Sequence, residues 1–178
     1  MAYKFGEAYD SEKFVCGAHR PGYPEECSIG KKCVEDWIVF MKGRGIHNVV
    51  CLLDKSQLKF YEDAFPLGLV DAYKENFGKN SVLHAPIPDY YLSSMENLYR
   101  ILAFLAASDK DQRRVVVHCS GGSGRTGHVL AAWLVRHHEF DPSGAISAVE
   151  RAWRNPREAV QCGNASENDL NELLSSCA

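Results

Sequence analysis

No stretch of the 178-residue sequence approaches the roughly 20 consecutive apolar residues needed to cross a bilayer. Its first ten residues, MAYKFGEAYD, lack the apolar core of a secretory signal, so a cytoplasmic setting is the expectation. Positive excess is missing too: 20 Lys and Arg stand against 23 Asp and Glu, for a net charge of −3. That balance argues against a general nucleic-acid binder, though not against one local basic pocket. Neither a nucleic acid nor a membrane is expected as a partner. The seven cysteines, Cys16, Cys27, Cys33, Cys51, Cys119, Cys162 and Cys177, are odd in number and contain no C-x-x-C pair. A disulfide scaffold and an ordinary zinc site are both disfavoured, and most of these thiols read as small core fillers. Cys16, His19, Cys27 and Cys33 are the one set that could gather a metal, but the close-spaced pairs typical of zinc are absent. No metal and no cofactor is expected.

What is present is an ordinary soluble composition, 46 % hydrophobic and 24 % charged, with no internal repeat. Residues 1–32 are punctuated by Gly17, Pro21, Gly22, Pro24 and Gly30 and read as an irregular segment with one short strand, Phe14 to Cys16. Beyond them the periodicity becomes regular. Val34, Trp37, Ile38 and Met41 predict a helix that Gly43 and Gly45 stop. Val49 to Leu53 is a continuous apolar run suited to a strand buried on both faces. Weaker helical patterns follow over 55–77, then a strand at Ser81 to Ala85 and an amphipathic helix bearing Met95, Leu98, Ile101, Leu102 and Leu105. Arg114 to His118 is a further buried strand. Val129, Leu130, Trp133 and Leu134 mark the next helix. Asp141-Pro142 predicts the cap and first turn of a helix bearing Ile146, Val149 and Trp153. Ser166 and Asp169 form a capping-box pattern for a last helix. Alternating strands and helices predict a single α/β domain over 1–178, with a largely parallel central sheet flanked by helices and the N-terminal segment packed on it.

The chemistry concentrates in VVVHCSGGSGRTG, residues 115–127, where a buried strand runs into a glycine-rich loop and then a helix. Gly122, Gly124 and Gly127 fit G-x-G-x-x-G, the fingerprint of a dinucleotide site. The acidic strand end that fingerprint requires about 20 residues later is missing, because Glu150 falls inside a helical pattern. The lysine of a nucleoside-triphosphate loop is absent as well. The alternative takes Cys119 and Arg125 as the working pair. A thiol attacks as its anion. A helix N-terminus, inward-curling amides from Ser120, Gly121, Gly122, Ser123 and Gly124, and the fixed charge of Arg125 all favour an anion there. The same cradle binds a phosphate, with the arginine fork gripping two oxygens and phosphorus above sulfur. His118 can order the loop through a hydrogen bond, and the Thr126 hydroxyl can assist the sulfur as a leaving group.

HCSGGSGRTG resembles the His-Cys-x5-Arg-Ser/Thr signature of the cysteine-based protein phosphatases, and the short chain is similar to their small dual-specificity type. The resemblance implies that Cys119 is the nucleophile and Arg125 the phosphate-binding residue. Attack by Cys119 would give a cysteinyl-phosphate intermediate that water hydrolyses; the expected substrate is a phosphorylated protein or small phosphomonoester, and the expected state is a monomer. Pro86-Ile87-Pro88-Asp89 is similar to the family stretch that carries the general acid, which makes Asp89 the candidate acid and Asp54 the runner-up. Gln161 could position water, as a glutamine does in some relatives. Arg20 and Arg157 could line the mouth, and Tyr90 and Tyr91 could frame it. Cys51 could pair with Cys119 under oxidation, although its apolar run favours a plain core residue. His84, His128, His137 and His138 read as structural or solvated. A phosphate-binding pseudophosphatase without turnover and a nucleotide-binding oxidoreductase are the competing readings.

Overall fold

A computed structural model describes residues 2–178. Five strands form one sheet: β1 (Gly6–Glu7), β2 (Val15–His19), β3 (Ile46–Cys51), β4 (Val82–His84) and β5 (Arg114–Cys119), in the order β1-β2-β5-β3-β4. β1 runs antiparallel to β2, and every other pairing is parallel. The helices are α1 (Lys31–Gly43), α2 (Lys55–Leu58), α3 (Leu69–Phe77), α4 (Met95–Lys110), α5 (Gly124–His138), α6 (Pro142–Arg151), α7 (Glu158–Gln161) and α8 (Glu167–Ser175).

The apolar runs of β3 and β5 are continuous because both faces of the sheet are covered, as in other parallel sheets. Successive side chains point to opposite faces. Val115, Val117 and Cys119 face the core built with α4, α5, α6 and α8. Val116 faces the other core, with Trp37 of α1 and Tyr73 of α3. β5 lies at the centre of the sheet, so its carboxyl end, where Cys119 emerges, is flanked by the ends of β2 and β3.

The N-terminal region is more regular than expected: the strand read at Phe14 to Cys16 is present but runs over Val15–His19, and a further strand precedes it. β2 is an internal strand paired directly to β5. Its sequence, VCGAH, lacks the β-branched alternation of a recognisable strand. Small side chains are what its position demands. A Cβ built on Gly17 would lie 2.6 Å from the Arg154 guanidinium carbon and 2.8 Å from the Thr126 methyl. Two further expectations are corrected in α6. Trp153 is not on its buried face: the helix ends at Arg151, and Trp153 stands 80 % exposed with φ of 64°. Pro142 does occupy the first turn, but the Asp141 side chain makes no capping bond. The Ser166–Asp169 capping box forms with both reciprocal bonds.

One buried carboxylate ties the N-terminal region to α5. Glu12 accepts from the Lys13 and Phe14 amides at 2.8 Å each, from Trp133 Nε1 at 2.8 Å and from His138 Nε2 at 2.8 Å. Burial pushes its carboxyl up, but these hydrogen bonds outweigh burial and hold it below the usual range, so it folds as the anion. Its contribution is complete above the unfolded value of 4.5 and is lost as pH falls through the lowered folded value. Glu12→Gln is expected to cost about 1–3 kcal/mol in urea unfolding at neutral pH, because charge-assisted bonds are lost and a donor is introduced among donors.

Candidate active site

β5 delivers Cys119 to the end of the sheet, residues 120–123 turn, and α5 starts at Gly124. The turn is as tight as its glycines allow. Gly122 has φ of 63°, and a Cβ there would sit 2.5 Å from the backbone carbon and oxygen of Ala18. Arg20, expected at the mouth, instead lies fully buried behind the turn. Its amide donates to Ser120 O at 3.0 Å and its Nε to Ser120 Oγ at 3.0 Å. Arg157 does not line the mouth either, since it pairs with Glu150 and Glu167.

The turn opens into a cleft of about 300 Å³ lined by Cys119, Ser120, Gly121, Ser123, Gly124 and Arg125, with Asp89 and Tyr90 on one wall and Lys4, Tyr23, Glu26 and Glu158 completing it. Cys119 is 3 % exposed, so its sulfur is reachable only through this opening. Tyr91 is exposed but does not line the cleft.

Arg125 is 2 % exposed and clasped from three directions. Its Nη2 pairs with Asp89 Oδ1 at 2.7 Å, and its Nη1 donates to Gln57 Oε1 at 2.8 Å and to Ile87 O at 3.1 Å. Gln57 closes the triangle by donating from Nε2 to Asp89 Oδ2 at 2.9 Å. Gln57 was not singled out from the sequence. It is placed by Asp54, whose carboxylate caps α2 through the Ser56 and Gln57 amides at 2.8 and 3.1 Å. That cap commits Asp54 to structure. Burial opposes its charge, but the Ser56 and Gln57 bonds prevail and hold its carboxyl below the usual range, the wrong direction for an acid.

The two histidines nearest the loop are neutral scaffolding. His118 lies between Trp37 and Tyr73 and donates from Nδ1 to Cys119 O at 3.3 Å. Burial pushes it down to about 3. His128, down to about 4 for the same reason, accepts from the Ser93 amide at 3.2 Å and so ties α5 to the segment that follows Asp89. The Thr126 hydroxyl is buried and has no partner among the described residues. Cys51 is fully buried in the opposite core from Cys119, and burial pushes its thiol up to about 12. Gln161 is exposed and bonds Asn155, away from the cleft. Glu158, one turn earlier on α7, lies in the cleft against Gly124, where burial and then the neighbouring Asp89 charge raise its carboxyl above the usual range. No group of three or more metal-ligating side chains is drawn together among the described residues, and none of the described helices is long and apolar enough to cross a membrane.

A cysteine under a turn of amides, with a buried guanidinium beside it and a carboxylate on that guanidinium, matches a known group of proteins over residues 27–139: the family described as "polymorphic toxin system, DSP-PTPase phosphatase". The chain belongs to this family. Residues 27–139 are thus those of a phosphatase domain of the dual-specificity type. Two uncharacterized proteins of Methanocaldococcus jannaschii, MJECL20 and MJ0215, are 44 % identical over 55 residues and 43 % over 51. Those segments cover 31 % and 29 % of this chain, and the chain spans only about a third of either relative, 37 % and 32 %. Among solved structures, Tk-PTP in its active form superposes with a TM-score of 0.69 at 22 % identity, over 99 % of this chain and 97 % of its own. Kinase associated phosphatase gives 0.66 at 21 %, over 92 % and 84 %. Pseudomonas aeruginosa TpbA bound to phosphotyrosine gives 0.57 at 14 %, over 98 % and 91 %. At these identities the likeness is one of fold. In this phosphatase the cysteine turn and Asp89 fall inside the family segment, whereas Lys4, Tyr23, Glu26 and Glu158 reach the cleft from outside it.

The neutral burial of His118 and His128 has a pH signature. Both fold with values below the ordinary imidazole value of 6.5, so the unfolded chain binds more protons under acid. Stability is complete above about 6.5 and falls as pH drops below it, by about 1.4 kcal/mol per pH unit per ring. Urea unfolding at pH 7 and 5.5 is expected to show a smaller loss in His128→Gln than in wild type; equal losses would contradict it.

Proposed function

We propose that this phosphatase hydrolyses phosphomonoesters, of phosphotyrosine and also of phosphoserine or phosphothreonine in proteins, through a phosphocysteine at Cys119. The observation that carries the reading is that Cys119, Arg125 and Asp89 line one cleft, with Asp89 on the guanidinium at 2.7 Å. The amides of residues 120–124 and the Arg125 fork would hold the non-bridging oxygens, placing phosphorus in line with sulfur. Attack forms the S–P bond and breaks the P–O bond to the leaving oxygen, which takes its proton from Asp89. Phosphate oxygens replacing Asp89 on the Arg125 fork would free the carboxyl to face that oxygen. Water then attacks phosphorus, the S–P bond breaks, and the water proton passes to a carboxylate. The Thr126 hydroxyl, without a partner among the described residues, is available to the departing sulfur. Glu158, which lines the cleft where Gln161 does not, would be the flanking side chain that orients that water.

The reading takes 1–178 as one catalytic domain, since residues from Lys4 to Glu158 line the same cleft. All seven cysteines are free, which suits a reducing, cytoplasmic setting. The substrate class follows the relatives: TpbA binds phosphotyrosine, and PTPMT1, also alike in fold, binds the lipid PI(5)P. With Glu26, Asp89 and Glu158 around the opening, the cleft favours a phosphate on a protein over one on a polyanionic lipid.

Cys119→Ser is expected to lower hydrolysis of an aryl phosphate by about 10³-fold or more while the circular dichroism spectrum is unchanged. Retained activity would refute the nucleophile, and phosphate binding by a wild type without turnover would mark a pseudophosphatase. Asp89→Asn is expected to cost about 10²-fold on substrates with poor leaving groups and far less on nitrophenyl phosphate. A uniform effect across leaving groups would remove Asp89 as the acid.

A further inference from the structure

Arg154 follows α6 and is 4 % exposed. A buried charge is costly unless a counter-charge meets it. Arg154 forms no ion pair among the described residues; its guanidinium donates only to backbone carbonyls. Nη1 reaches Gly122 O, in the cysteine turn, at 2.7 Å, and Nη2 reaches Gly6 O at 3.1 Å and Lys4 O at 3.4 Å. Its Nε has no partner among the described residues. Gly17 of β2 leaves the space it fills.

The neighbours leave one anion for it. Cys16 is buried, which pushes its thiol up to about 12 and keeps it neutral. Glu7 is committed to Arg114 at 2.8 Å. Lys4 repels it. Cys119, once ionised, lies within electrostatic reach of the guanidinium and would offset the burial that opposes its charge. Burial lowers Arg154 to about 10, so it stays charged at neutral pH.

We propose that Arg154 is a positioning residue: a second fixed cation that, through the turn it braces at Gly122, favours the ionised sulfur of Cys119 from the side opposite the substrate. Arg125 meets the phosphate and Arg154 does not, so the two guanidiniums divide the task, one for the substrate and one for the nucleophile. The other groups that face Cys119 are Lys4 on the N-terminal turn, His19 across the β2 ladder, Cys51 on β3, Asp89 and Glu158 on the cleft walls, and Arg125 on α5. The carboxylates among them oppose the thiolate, which is why a cation beyond Arg125 has an effect to exert.

The inference rests on Cys119 being the nucleophile, and the test separates the two claims. Full-length protein is alkylated with iodoacetamide, a neutral probe, across pH 4 to 9 as an approximate range. Modification is read on the Cys119 peptide, so that exposed Cys27, Cys33 and Cys162 do not interfere. Arg154→Gln is expected to move the midpoint of that profile up by about one unit, a tenfold loss of thiolate at any pH below it. Arg154→Lys, which keeps the charge, is expected to stay near wild type even where loss of the carbonyl bonds lowers turnover. Gly17→Ala, which crowds the guanidinium, is expected to shift the midpoint in the same direction as Arg154→Gln. A folded Arg154→Gln with the wild-type midpoint would overturn the proposal. So would failure of both Arg154→Gln and Gly17→Ala to fold, which would assign Arg154 a structural role. A wild-type midpoint equal to that of a free thiol would instead sink the nucleophile reading itself.

Discussion

The guanidinium of Arg125 is where the sheet, the cysteine turn and the Asp89 segment meet, and the rest of the site is arranged around the cost of burying it. A charge that is 2 % exposed must be met on several sides, and here it is met by a carboxylate, a side-chain amide and a backbone carbonyl. Each of those partners comes from a different place in the chain, and each is held by an ordinary structural device. The Asp54 cap fixes Gln57 at the start of α2. The Ile87 amide donates to Leu52 O, which prolongs the sheet past the end of β4 and holds the approach to Asp89. His128 fastens the far side of that segment to α5.

The same logic explains why the flanks are integral to the cleft. The family segment ends at residue 139. Arg154 and Glu158 beyond it, and Lys4, Arg20 and Tyr23 before it, surround the turn from behind and above. β2 is the hinge of this arrangement. It pairs with β5 along its whole length, and its small residues admit Arg154 and the close approach of Gly122 to Ala18.

What could be read from the sequence was whatever chemistry is local in the chain. Val115 to Thr126 carries the strand, the turn, the nucleophile and the arginine within one stretch, and helical spacing was enough to find α1, α4, α5 and α8. What escaped was set by contacts distant in sequence. β2 was legible only at its start, Phe14 to Cys16; its continuation through Gly17, Ala18 and His19 is set by β5 beside it and has no strand propensity of its own. Trp153 continued the apolar spacing of α6, yet the backbone turns left-handed there and releases it. Gln57 and Glu158 sit on helices too short for any pattern, and a polar residue at such a place is ordinarily solvated. Arg20 and Arg154 were taken for surface groups or passed over because arginine is seldom buried. The signal that could have found Arg154 is its pairing with Gly17, which only coordinates reveal.

The central claim, that one sulfur takes the phosphoryl group within this cradle, is tested most directly by rapid acid quench during turnover followed by peptide mass spectrometry. The account predicts one phosphoryl group on the peptide carrying Cys119, appearing before inorganic phosphate and decaying as it is released. An active enzyme whose label appears on another side chain, or on none while phosphate is released, would contradict it.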